Sequence, residues 1–157
     1  MYKRIVLAYD GTQSGQQLLL DREELVQWRA AQLWLAAVLP VPPNPEAIDY
    51  GNYLPDISVR DMHRVETVLA LGLHHIRHEG YAVKGEILIG ESVQEITHFA
   101  QQVDANLIVV GHNHQDDWTA RWWKGTHSDA LIAHAPCSVL FAITPGVRQQ
   151  MIQEVDL

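Results

Sequence analysis

Apolar residues fall in two alternating patterns along the chain: short unbroken runs, and longer stretches in which they recur every three or four positions. The run RIVLAY (4–9) closes on Asp10-Gly11-Thr12, which predicts a buried strand followed by a turn. Residues 13–29 predict a helix, because Leu20, Glu24 and Trp28 fall at i, i+4 steps beside Leu18, Leu19 and Val26. LWLAAVL (33–39) carries no charge, as expected of a strand covered on both faces. The segment PVPPNPEAIDYGNYLPD that follows holds five of the seven prolines, so it is read as a long loop.

From about Ile57 to Glu79 the helical pattern returns, with Val65, Leu69 and Leu73 in step, and Gly80 marks its end. YAVKGEILI (81–89) alternates apolar and polar at its start, which suits the edge of a sheet. Gly90-Glu91-Ser92 leads into a helix carrying Val93, Ile96, Phe99 and Ala100, and NLIVV (106–110) is a further buried strand ending at Gly111. A helix near 126–135, stopped by Pro136, and a last strand SVLFAI (138–143) complete the series. Strands alternating with helices imply a parallel sheet with right-handed crossovers. The expected fold is therefore α/β: a doubly wound, Rossmann-like, five-stranded parallel sheet with helices on both faces and strand order 3-2-1-4-5. Ligands of such sheets sit beyond the carboxyl ends of the strands, where the strand order reverses. That directs attention to Asp10-Gly11-Thr12, to Val38 through Pro42, and to Gly111 onward.

Composition narrows the class without changing the fold. A chain of 157 residues with 47% hydrophobic and 19% charged residues reads as one folded domain, 1–143, followed by a polar tail, 144–157. The formal charge of −8 argues against general affinity for nucleic acid or anionic membrane. The single Cys137 precludes an internal disulfide and suits a reducing compartment; next to Pro136 and a buried strand, it reads as packed rather than reactive. No secretory pattern opens the chain, and no apolar run approaches the roughly 20 residues that span a bilayer, so the expected location is the cytoplasm.

Asp10 has two readings: a turn former or helix cap, and a carboxylate at the switch point that accepts hydrogen bonds from a base or ribose. In the loop 107–129, Gly111 lets the backbone approach a ligand closely. Gly125-Thr126 at a helix start offers backbone N–H groups, a hydroxyl and the positive end of the helix dipole to an anion. Arg121 and Lys124 add positive charge nearby; equally, Thr126 can be no more than a cap. His112, His114 and His127, with Asp116 and Asp117 close in sequence, invite a metal, but incidental loop histidines are the preferred reading and no metal site is assigned. His74 and His78 share one helix face at i, i+4, read as solvated helix surface. Trp122 and Trp123 can stack on a base or anchor the loop, whereas Trp28 and Trp34 read as core. There is no G-x-S-x-G elbow, no G-x4-G-K-[ST] loop and no H-E-x-x-H pair, so no nucleophile is set beside a base.

IVLAYDGT at the start, GE at 90–91, and the blocks ANLIVVGH and GT…APCSVLFA toward the end together resemble the universal stress protein family over essentially residues 1–143. The resemblance implies an adenine nucleotide α-hydrolase-like fold. It also implies, for nucleotide-binding members, a G-x2-G-x9-G-[ST] signature after the fourth strand that holds phosphates and ribose. The residues it marks are Asp10, Val38, Val110, Gly111, Gly125 and Thr126; Thr12, His114 and His127 complete the candidate nucleotide-binding set. The chain departs from the signature twice: its second glycine falls on His114, and ten residues rather than nine separate that position from Gly125. A histidine there narrows the space for phosphate, though its ring nitrogen can also donate to an anion. The resemblance thus implies a regulatory stress-response module that binds ATP or a related adenine nucleotide, with Mg²⁺ as an optional companion and any ATP hydrolysis slow and incidental. The alternative is a dimeric interaction module whose phosphate site is blocked by His114 and the longer loop. A third and weaker idea is a metal-responsive variant using the loop histidines. In each case the strand 138–143 is expected to pair with its two-fold mate in a homodimer.

Overall fold

In the computed structural model, which describes residues 1–39, 59–112 and 125–143, the unbroken apolar runs are strands. β1 (Arg4–Tyr9), β2 (Gln32–Leu39), β3 (Ala82–Ile89), β4 (Leu107–His112) and β5 (Ser138–Ile143) form one parallel sheet. Its order, β3-β2-β1-β4-β5, is the expected one. Alternation along β1 divides the core in two. Ile5, Leu7 and Tyr9 face one side with Leu33, Leu35 and Ala37 of β2, under α1 (Gln13–Leu20) and α2 (Val59–His78). Val6 and Ala8 face the other side with Trp34, Ala36 and Val38, under α3 (Ser92–Gln102) and α4 (Gly125–His134). β2 is buried from Leu33 to Leu39, as its chargeless sequence requires, while β3 alternates exposed and buried positions at the edge of the sheet.

The helix expected over 13–29 is instead two elements. α1 stops at Leu20, Arg22 is extended, and a 3-10 helix runs over Glu23–Trp28. The reason lies in the spacing of the residues that reach the core. Leu19 and Leu25 are both buried, yet six positions along one straight helix lie about 120° apart around its axis. The break brings both to the sheet and leaves Val26 60% exposed.

Helix ends follow backbone chemistry. α2 ends where Gly80 adopts φ 95°; the N–H of Tyr81 donates to the Ile76 carbonyl and that of Gly80 to the Arg77 carbonyl, the paired bonds of a Schellman cap. α3 begins under Glu91, whose carboxylate accepts the N–H groups of Val93 and Gln94 at 3.2 and 2.8 Å. It ends in the same cap as α2, but Asp104 rather than glycine holds the left-handed position, at φ 56°. Asp104→Gly should therefore raise stability by about 0.5–1 kcal/mol, read from urea unfolding. An unchanged or lower midpoint would show that the aspartate side chain offsets its own backbone strain. Among the described residues, no helix is long and apolar enough to cross a membrane.

Candidate functional site

The chain leaves β1 for β2 and β3 on one side of the sheet, then returns to β4 and β5 on the other. The strand order thus reverses between β1 and β4. Pairing of these strands stops at Ala8 with Val110, whereas β4 continues alongside β5 to His112. Gly111 and His112 therefore extend past the end of β1, beside the turn Asp10-Gly11-Thr12. α4 connects the carboxyl end of β4 to the start of β5, so its first turn at Gly125 lies at this same end of the sheet.

Asp10 is 3% exposed, and its two oxygens have different surroundings. Oδ1 accepts the Thr12 hydroxyl at 2.6 Å and the Thr12 N–H at 3.1 Å. The Thr12 oxygen in turn accepts the N–H of Gly15 at 3.1 Å, so Thr12, not Asp10, is the cap of α1. Asp10 is thus a turn former through Oδ1. Oδ2 is buried and has no hydrogen-bond partner among the described residues. A buried acceptor left without a donor costs about 1–3 kcal/mol, which a hydroxyl or amino group of a ligand would relieve.

Glycines shape this corner. Gly11 has φ 84°, and a Cβ there would press on Leu39 and Val65 at 3.1 and 3.2 Å. At Gly15 a Cβ would overlap Oδ1 of Asp10, so the bare helix backbone is what lets the carboxylate sit against α1. The missing side chain of Gly111 faces α1 as well, where a Cβ would come within 3.3 Å of the Gly15 carbonyl. Gly111 therefore lets β4 and α1 approach closely. Val38 and Val110 are fully buried in the core beneath α3 and α4, so they can offer a ligand only their backbone.

Behind Asp10, the buried Gln16 donates from Nε2 to the Tyr9 hydroxyl at 3.1 Å and to the Val68 carbonyl of α2 at 3.0 Å. Gly72 of α2 leaves the space that this amide fills. Burial pushes the Tyr9 hydroxyl up to about 12, so it stays a neutral partner for Gln16. These contacts fix where α1 starts, and with it the turn that carries Asp10. Gly15 and Gln16 were not among the residues marked from the sequence. The available signal was a glycine inside a helical pattern, which costs about 1 kcal/mol against alanine and so calls for a reason.

The structure brings Asp10, Thr12 and Gly111 to one corner and starts α4 at Gly125. His114, with Arg121, Lys124, Trp122 and Trp123, lies outside the described residues, as do the proline-rich loop and the tail. Among the described residues no three metal-ligating side chains converge. Cys137 is partly buried against the core beneath α3 and α4, and burial pushes its thiol up, away from the reactive thiolate. An open cleft of about 350 Å³ between α3 and α4, lined by Val93, Gln94, Thr97, His98, Gln101 and His134, contains none of the candidate residues.

The family model of the universal stress proteins matches residues 1–142. The chain belongs to the universal stress protein family. Solved universal stress proteins share its architecture. One from Burkholderia pseudomallei is 24% identical, with a TM-score of 0.63 over 89% of this chain and 95% of its own. One from Archaeoglobus fulgidus, in complex with dAMP, is 22% identical, with a TM-score of 0.58 over 89% of this chain and 97% of its own. An Arabidopsis thaliana member with AMP bound is 16% identical, with a TM-score of 0.56 over 90% and 91%. At these identities the likeness is one of fold. Among curated proteins no match to the sequence was found.

Proposed function

We propose that this universal stress protein binds ATP or a related adenine nucleotide at the carboxyl ends of β1 and β4. In this reading it acts as a cytoplasmic regulatory module in a stress response, without dedicated catalysis. The observation that carries the reading is the buried Oδ2 of Asp10, an acceptor without a donor at the point where the strand order reverses. A ribose hydroxyl or an adenine amino group supplies the missing donor. The first turn of α4, opening on Gly125-Thr126, offers N–H groups that have no partner within the helix to phosphate, with Mg²⁺ as an optional companion. Relatives of the same fold that hold dAMP and AMP support the choice of adenine. His114 stands where the family signature has its second glycine, and in this reading a side chain replaces a bare backbone position beside the phosphate. β5 forms an edge of the sheet with Leu140 exposed, and pairing with a second copy would close that edge into a homodimer.

Denaturing the purified protein should release adenine nucleotide, and ATP should bind in a titration with Mg²⁺. Asp10→Ala and Gly125→Val should each weaken binding and leave the dimer intact by sedimentation. Neither release nor binding at millimolar ATP would defeat the nucleotide reading and leave the dimeric interaction module in its place. Unchanged affinity in both variants would remove these residues from the site.

A further inference from the structure

The sequence HHIRHE closes α2 with three imidazoles and a carboxylate within two turns. His74 and His78 lie on one exposed face at i, i+4, their rings near-parallel at 19° with centroids 6.3 Å apart. His75 is engaged differently, with its Nε2 3.4 Å from a Glu79 carboxylate oxygen. Arg77, the cation between them in sequence, is turned toward the sheet, where its Nε and a terminal nitrogen donate to the Val83 carbonyl at 3.3 and 3.1 Å. Its guanidinium is thus held away from the imidazole pair.

We propose that His74 and His78 form a surface site for a divalent transition-metal ion of the Cu²⁺, Ni²⁺ and Zn²⁺ class. Two histidines one turn apart on a helix are spaced to reach a common ion, the arrangement that the zinc helices of H-E-x-x-H proteins use. Rotation of the two exposed side chains brings a nitrogen of each ring to the usual metal–nitrogen distance of about 2.0–2.1 Å without moving the helix. The surroundings favour a cation: the last turn of α2 carries the negative end of the helix dipole, and the whole chain carries a formal charge of −8. With two protein ligands the remaining positions belong to water, so the ion exchanges readily, and Cu²⁺ binds more tightly than Ni²⁺ or Zn²⁺. An ion spanning residues 74 and 78 clamps the last turn of α2 just before the Gly80 cap. It therefore stabilises the folded chain by mass action.

The test is calorimetric titration of the full, nucleotide-free chain with NiCl₂ and with ZnCl₂, alongside melting curves. The expected result is a site whose affinity falls by about tenfold or more in both His74→Ala and His78→Ala but persists in His75→Ala, with the metal raising Tm only where both ligands remain. All three positions are exposed, so the variants should fold, which circular dichroism checks. Equal affinity in the unmodified chain, His74→Ala and His78→Ala would place the ion elsewhere and overturn the proposal, as would the absence of binding heat. Neither result depends on whether nucleotide binds at the switch point.

Discussion

Gly15→Ala should weaken adenine nucleotide binding by between about tenfold and a hundredfold while the protein stays folded. The new Cβ would overlap Oδ1 of Asp10, an atom already held by the hydroxyl and the N–H of Thr12. Relief comes by swinging the carboxylate off Thr12 or by pushing α1 away from β4, against which the Gly15 carbonyl is closely packed at Gly111. Either movement redirects Oδ2, the buried acceptor on which the proposed nucleotide site rests. Stability responds differently, because alanine within a helix gains about 1 kcal/mol over glycine and offsets part of the lost hydrogen bonding. The signature is thus a large change in affinity with a small change in melting temperature. Titration of both forms with the same nucleotide, beside thermal melts, reads the split. Undiminished affinity in the variant would mean that the ligand does not depend on where Gly15 and Thr12 hold the carboxylate.

Much of the architecture was legible because it depends on local pattern. A strand buried on both faces must be apolar at every position, and 33–39 is; an edge strand can alternate, and 82–89 does. A helix needs a stop, and Gly80 supplies one. The break after Leu20 was not legible, because Leu20, Glu24 and Trp28 keep a helical step while the requirement that Leu19 and Leu25 reach one core is set by the sheet. The site divides in the same way. Asp10 and Thr12 were marked by their place at a strand end, and the structure joins them by direct hydrogen bonds. Gly111 was marked for closeness to a ligand, but the direction of its missing side chain, toward Gly15 and Leu19, is a property of how α1 lies on β4. Gly15, Gln16 and Gly72 escaped notice for that reason. Each matters only through a contact with an element that no local pattern places.

Gly72 should show the largest loss of stability among these positions. An alanine Cβ there overlaps the amide of Gln16, which is 5% exposed and sits between the Tyr9 hydroxyl and the Val68 carbonyl. The amide is the far end of a flexible side chain and can move. In moving, however, it leaves the fully buried Tyr9 hydroxyl without its donor and brings its own polar atoms against apolar neighbours. Stranded buried polar groups of this kind cost about 1–3 kcal/mol each, and the helix preference for alanine returns only about 1 kcal/mol. Gly72→Ala should therefore destabilise the fold by about 1–5 kcal/mol, measured from urea midpoints. Gln16→Ala removes the amide and should be destabilising by itself. In that background the alanine at 72 enters vacated space, so the double variant should be more stable than the two separate losses imply, with a coupling of about 0.5–3 kcal/mol. Strict additivity would show that α1 and α2 do not meet through this pair, and the account of how the Asp10 turn is held would need another support.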